Sequence, residues 1–156
     1  KKFRTLNKKK IIDYLFIFTG IPEEDKKLID TIMIFKQHEL KKKIGIKFHP
    51  ISKISSKIIE TLNNKKIQIF KGNINECTEI SDSVVSTGLS TSLLEALINN
   101  CKVIVVSNSI YDKIFFKNLN IPKKSYTFLK KIENLKNIKL SNLNQNERKK
   151  LVANFF

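Results

Sequence analysis

Apolar residues in this chain come in short compact blocks, separated by longer stretches in which they recur every three or four positions. That is the signature of strands alternating with helices. Residues 13–18, D-Y-L-F-I-F, form the first predicted strand, and residues 19–21 turn the chain. Pro22 opens a helix at its first position, with Glu23, Glu24 and Asp25 in the first turn, where the helix dipole favours acids. Leu28, Ile29, Ile32, Phe35 and Leu40 give that helix its apolar stripe. His38 lies near its end among lysines and reads as a solvent-facing residue. Residues 44–48 are the second strand, stopped by His49-Pro50. A helix opened by Ser52, Ser55 or Ser56 runs to residue 63, with Ile58, Ile59 and Leu62 inward. Residues 67–70 are the third strand, Lys71-Gly72-Asn73 leads out of it, and residues 75–80 are a short irregular or helical piece.

The clearest unit spans residues 80–107. Residues 83–85 are a β-branched strand, Ser86-Thr87-Gly88 is a hydroxyl-rich turn, and Ser90, Thr91 or Ser92 caps a helix carrying Leu93, Leu94, Ala96, Leu97 and Ile98. Asn99-Asn100 ends this helix through a left-handed turn. Residues 103–106 are a continuous apolar run, as expected of a strand buried on both faces. Beyond Ser107 the pattern weakens. Residues 110–116 are a helix or a loop, 126–129 an edge strand, 132–140 ambiguous, and 141–156 a C-terminal helix whose pattern is clearest from residue 147.

Alternating strands and helices imply a mostly parallel sheet, here a Rossmann-like three-layer α/β/α sandwich in a single domain over residues 1–156. The first ten residues read as a basic arm. Ligands in such sheets sit outside the carboxyl ends of the strands, where the strand order reverses. Strand direction alone therefore places Thr19-Gly20, His49-Pro50, Lys71-Gly72 and Ser86-Thr87-Gly88 on one rim.

Composition narrows the partners. The chain has 156 residues and a formal net charge of +16, yet only Arg4 and Arg148 are arginines. Lysine is a diffuse, hydrated charge without arginine's bidentate fork. The surplus reads as a solvated basic surface, or as attraction to anionic lipid head groups, to a nucleotide or to nucleic acid. Nucleic acid is set aside, because there is no Trp, no RNA-binding aromatic signature and no zinc spacing. No apolar run reaches the roughly 18 residues of a membrane span and no signal peptide is recognisable. Cys77 and Cys101 form neither a metal spacing nor a disulfide framework, which fits a cytoplasmic setting. The chain begins without Met and reads as a piece of something longer.

Two features on the rim carry chemistry. Unpaired backbone N–H groups and the helix dipole point at the start of the helix after Gly88, and hydroxyls at Ser86, Thr87, Ser90, Thr91 and Ser92 add donors without charge. Phosphate is the natural guest, although any one of these hydroxyls also serves as a plain helix cap. His49, fixed by Pro50 at a strand end, changes charge near neutral pH and is suited to donate to a phosphate or protonate a leaving group. The plain alternative is a strand terminator with an incidental histidine.

The segments I-K-F-H-P (46–50) and S-D-S-V-V-S-T-G-L-S-T-S-L-L-E-A-L-I-N-N-C-K-V-I-V-V (81–106) resemble the C-terminal half of GT-B-fold glycosyltransferases. The pattern is most similar to bacterial sialyltransferases, polysialyltransferases and capsule Kdo transferases, with CDP-glycerol glycerophosphotransferases a more distant likeness. The resemblance covers residues 11–107. It implies a CMP-sugar or other nucleotide-sugar as donor and a carbohydrate or lipid-linked acceptor, in bacterial surface polysaccharide or lipooligosaccharide biosynthesis. It implies that His49 contacts the donor phosphate and assists its departure, and that Pro50 shapes the base and ribose pocket. Ser86, Thr87, Ser90 and Thr91 would hold the phosphate; strand direction, not the resemblance, adds Gly20, Lys71, Gly72 and Gly88 to the expected nucleotide site. Glu95, matching the glutamate of an E-A-L segment, would reach the ribose hydroxyls, or else be a solvated helix residue.

The chain departs from the pattern in two ways. Asn100 stands where a glycine is usual before the final strand, and only one of two Rossmann-like domains is covered. The acidic general base of the sialyltransferase-like group belongs to the other domain. No D-x-D motif is present and no metal or cofactor is expected. The expected location is cytoplasmic, peripheral at the inner membrane face. A sugar-nucleotide epimerase half, a glycerophosphotransferase half and a non-catalytic Rossmann-like binding module are the alternatives.

Overall fold

The computed structural model describes residues 9–107 and 109–155, so the basic arm expected over residues 1–10 lies, up to residue 8, outside the described residues. Six strands form one sheet: β1 (Ile12–Ile17), β2 (Ile44–Lys47), β3 (Gln68–Phe70), β4 (Ser81–Ser86), β5 (Lys102–Val106) and β6 (Tyr126–Leu129). Their spatial order is β3-β2-β1-β4-β5-β6, and every neighbouring pair is parallel. The helices between them are α1 (Pro22–His38), α2 (Ser56–Asn64), α3 (Ile74–Glu79), α4 (Thr91–Ile98) and α5 (Ile110–Asn118), with α6 (Gln145–Phe155) closing the chain. The Rossmann-like three-layer α/β/α architecture expected from the pattern is the one observed.

Period-two alternation explains the layers. Leu15, Ile17, Val84, Val103 and Val105 face one way, and with Leu93, Leu97, Phe116 and Leu151 they form a core under α4, α5 and α6. Phe16, Phe18, Val85, Ile104 and Val106 face the other way and meet Leu28, Ile32 and Phe35 of α1 and Leu62 of α2. Both faces are covered, so the central strands carry almost unbroken apolar runs.

Several local expectations shift. α1 ends at His38, and Leu40, expected on its apolar stripe, is 74% exposed in the following loop. β4 is longer than the 83–85 run, because Ser81 and Ser83 sit in the sheet with their hydroxyls satisfied: Ser81 Oγ donates to Cys77 O at 2.7 Å and Ser83 Oγ to Asp82 Oδ2 at 3.1 Å. Residues 110–118 resolve as helix, capped by Ser109, and Ile132–Asn137 as a 3-10 helix. The terminal helix starts at Gln145 rather than 141. Asn144 Oδ1 accepts from Glu147 N at 2.9 Å while Glu147 Oε2 accepts from Asn144 N at 2.7 Å, a reciprocal capping box that fixes its start. Asn100 takes the left-handed turn, φ 63°, as its place before the strand requires.

Cys101 is fully buried, its Sγ 3.1 Å from both Thr78 O and Ser81 O, and burial pushes its thiol up to about 12. Cys77 is buried too. A thiol whose folded pKa is raised contributes stability that is complete below its unfolded pKa and is lost as pH rises toward the folded value. Neither cysteine is therefore expected to react with a thiol-specific chromogenic reagent at neutral pH until the protein unfolds. Part of the stability loss from about pH 9 upward is expected to disappear in Cys101→Ala. Rapid labelling of Cys101 in the folded protein would contradict this placement.

Candidate functional site

The chain runs from β1 outward to β2 and β3, then returns to pair β4 on the other side of β1. The order therefore reverses between β1 and β4, and the crevice at their carboxyl ends is where this topology places a ligand. Thr19 and Gly20 leave β1 there, and Ser86, Thr87 and Gly88 leave β4. His49 and Pro50 leave β2, the other neighbour of β1.

Asp25, in the first turn of α1 and only 4% exposed, holds this rim together. Its Oδ1 accepts from the backbone N–H of Thr19 at 3.0 Å and of Gly20 at 3.1 Å, and its Oδ2 accepts from Ser52 Oγ at 2.5 Å. One carboxylate thus ties the β1 loop to the β2 loop. Helix-dipole placement explains Glu23, but Asp25 is a structural pin that the linear sequence did not disclose. Gly20 takes the left-handed region, φ 81°, and a Cβ on it would lie 2.6 Å from His49 Nδ1 and 2.7 Å from Ile51 Cγ1. The imidazole therefore lies directly on the Gly20 backbone. His49 O accepts from Ser52 N at 2.9 Å, and Nδ1 accepts from Ile51 N at 3.4 Å, which leaves the proton of the neutral ring on Nε2. His49 itself is exposed.

The β4 turn is built differently from the hydroxyl nest expected. Ser86 is fully buried and its Oγ donates to Gly88 O at 3.0 Å. Thr87 Oγ1 donates to Glu24 O at 3.0 Å. Both protons are used inside the protein, so what these residues hold is the turn and its contact with α1. Ser90 is the N-cap of α4 but makes no side-chain cap bond; its Oγ is buried without a partner among the described residues. Thr91 is exposed at the first position of α4. A Cβ on Gly88 would run into the Glu24 carboxylate, its Cδ 2.7 Å away. Glu24 Oε2 and Glu95 Oε2 are also buried without hydrogen-bond partners among the described residues.

The expected residues thus separate. His49, Gly20, Gly88, Ser90 and Thr91 stay near the crevice with free polar atoms or close backbone, Ser86 and Thr87 support it, and Glu95 lies a turn further along α4. Lys71 and Gly72 share the rim only at its outer end. β3 is the edge strand, about 14 Å from β4 at the usual strand spacing, and a Cβ on Gly72 would meet Glu76 Oε2 at 2.5 Å. Glu24, Asp25 and Ser52 are the rim residues that sequence reasoning missed. The only signal for them was the acidic run directly after the first strand and turn.

The arrangement offers two chemistries side by side. The start of α4, with Ser90 and Thr91, and the Nε2–H of His49 suit an anion. The Glu24 carboxylate, against the Gly88 turn, is an acceptor and suits hydroxyl groups. Cavities of about 330 Å³ between α5 and α6 and about 410 Å³ at the amino ends of β1 and β2 lie away from this rim, and neither includes its residues. Among the described residues no group of three or more His, Cys, Asp or Glu side chains is placed to hold a metal ion, and no helix is long and apolar enough to cross a membrane.

The chain is similar in structure to a mutant of S. aureus TarM in complex with fondaparinux, alpha-GlcNAc-glycerol and UDP. The TM-score is 0.55 at 17% identity, covering 94% of this chain and 29% of that one. It also aligns with the glycosyltransferase SnogD from Streptomyces nogalater, with a TM-score of 0.49 at 10% identity, covering 98% of this chain and 41% of that one. The chain spans less than half the length of either structure. No protein-family model matches it, and no curated protein matches it.

Proposed function

We propose that this chain is the donor-binding half of a GT-B-type glycosyltransferase, holding the nucleotide part of a nucleotide-sugar at the β1/β4 crevice. The observation that carries the reading is the packing of His49 against the Gly20 backbone, one strand from the Gly88 turn, at the point where strand order reverses. The likeness in fold to TarM, a protein seen in complex with UDP, supports it. The H-P and S-T-G-L-S-T segments favour a CMP-sugar donor and a carbohydrate or lipid-linked acceptor in bacterial surface polysaccharide or lipooligosaccharide synthesis.

In this reading the acceptor's hydroxyl oxygen bonds to the donor's anomeric carbon while the bond from that carbon to the phosphate oxygen breaks. The electron pair leaves on the phosphate. The start of α4 and the His49 Nε2–H, donating a hydrogen bond from the neutral ring, stabilise that developing charge and so assist the departure. Glu24 accepts hydroxyls of the ribose or sugar. The acceptor's proton goes to a base on a second domain.

The test is thermal denaturation with CMP, CDP and UDP. A nucleotide at about 100 times its Kd adds about 2.7 kcal/mol, which for a domain of this size raises Tm by about 5–10 °C. His49→Ala is expected to abolish the shift without lowering the Tm of the free protein. Since the TarM structure contains UDP, the rank of CMP against UDP decides the donor class. No shift with any of the three, or an undiminished shift in His49→Ala, would overturn the proposal.

A further inference from the structure

We propose that the amino end of the sheet, opposite the nucleotide rim, docks on an anionic lipid surface. A groove of about 410 Å³ opens there, lined by Ile11, Ile12, Lys36, Lys42, Lys43, Ile44, Lys66 and Gln68. It lies where the chain enters β1, β2 and β3, and each entry brings lysine: Lys9 before β1, Lys41, Lys42 and Lys43 before β2, Lys65 and Lys66 before β3.

The charge is free to act outward. Lys41, Lys42, Lys43 and Lys66 are exposed. Lys36 is spent inward, its Nζ donating to Leu40 O at 3.1 Å and Lys42 O at 3.3 Å, and so fixes the 39–43 loop. The acids at this end are Asp13, Glu39, Glu79 and Asp82; Asp82 is paired with Lys102 at 3.0 Å, and Glu79 and Asp82 lie on the β4 side, away from the lysines of the β2 and β3 entries. Asp13 Oδ2 accepts from the backbone N of Lys43 at 2.8 Å, and its Oδ1 lies 4.0 Å from Lys42 Nζ, a pair too long and exposed to neutralise the patch.

Apolar tips stand among these ammonium groups. Leu40 is 74% exposed in the fixed loop, and Ile11 is 46% exposed beside the groove. A duplex nucleic acid has no use for a projecting leucine and favours arginine forks, of which this end has none among the described residues. Anionic head groups above an acyl layer accept both features: lysines meet the surface charge and the aliphatic tips enter the interface. The sheet is about 20 Å long along β1, so docking by this end leaves the nucleotide rim facing away from the lipid.

The experiment is sedimentation of the whole chain with vesicles of phosphatidylcholine alone and of phosphatidylcholine mixed with phosphatidylglycerol, at low and high salt. Binding is expected only to the anionic vesicles and is expected to weaken with salt. Each lysine near the surface contributes about fivefold, so the triple variant Lys42→Gln, Lys43→Gln, Lys66→Gln is expected to bind about a hundredfold more weakly. Leu40→Ser, a change at an exposed position, is expected to weaken binding without altering the melt. A second triple variant, Lys113→Gln, Lys130→Gln, Lys131→Gln, removes the same charge at the opposite end of the sheet and is expected to bind like the wild type. His49→Ala is likewise expected to leave vesicle binding unchanged, which separates this surface from the nucleotide site. Equal loss in the two triple variants, equal binding to neutral vesicles, or complete displacement by duplex DNA at matched charge would each overturn the proposal.

Discussion

Asp25→Ala is expected to lower folding stability by about 3–5 kcal/mol, read as a Tm drop of about 10–15 °C or an equivalent shift in a urea titration. The side chain removed is nearly fully buried and accepts four hydrogen bonds, the longest from Thr19 Oγ1 at 3.5 Å. Without it the N–H groups of Thr19 and Gly20 lose their acceptor in a half-buried loop, and Ser52 Oγ loses its partner. Each such orphan costs about 1–3 kcal/mol, less where water reaches it. Asp25→Asn keeps the shape and one carbonyl oxygen, and Ser52 can turn to accept from the new amide, so its loss is expected to be clearly smaller. Because Asp25 also ties the Gly20 loop to the His49 loop, both variants are expected to weaken nucleotide protection more than they weaken the fold's distant half. A loss below about 1 kcal/mol in Asp25→Ala would mean that the rim does not depend on this carboxylate.

Phe116→Ala is the second large effect, again about 3–5 kcal/mol. Phe116 is 1% exposed, with ring centroids 4.9 Å from Tyr126 and 5.4 Å from Phe128. These contacts fasten α5 to β6 at the edge of the sheet. Removing the ring leaves a cavity that rigid strands on one side close poorly. The proposed nucleotide site lies toward the β2–β1–β4 side, so any nucleotide affinity in the surviving folded population is expected to stay unchanged. Calorimetry of the variant with and without nucleotide separates the two quantities. A loss near that of a surface substitution would show that α5 is held by something other than this cluster.

These two residues mark what the chain's letters disclose and what they conceal. The blocks at 13–18, 44–48 and 103–106 were legible as strands because burial on both faces leaves unbroken apolar runs. The start of β4 is hidden in the sequence for the opposite reason. Ser81 and Ser83 are buried polar residues whose hydroxyls are satisfied locally, and a hydropathy pattern cannot register that. Helix α5 reads equally as helix or loop in the sequence because Ile110, Tyr111, Ile114 and Phe115 are exposed while Phe116 alone is buried, which blurs the helical period. At the rim, H-P and S-T-G stood out as strings, and strand direction put them on one side. Asp25 bonds Ser52 across 27 positions and Thr87 bonds Glu24 O across 63, so neither link has a local signature. The same distances explain why Ser86 and Thr87 resembled free ligands in the sequence but have their protons committed in the fold.

The position of β1 between β2 and β4 has a consequence for how the protein is made. On the ribosome, β1 meets β2 early, but its other edge waits for residues 81–86. At about 5–20 residues per second, the gap between completing Ile17 and completing Ser86 is roughly 3–14 s. Throughout that interval the nascent chain carries an open, apolar strand edge with no neighbour. Any cellular factor that shields newborn chains therefore has its main work here before the fourth strand emerges.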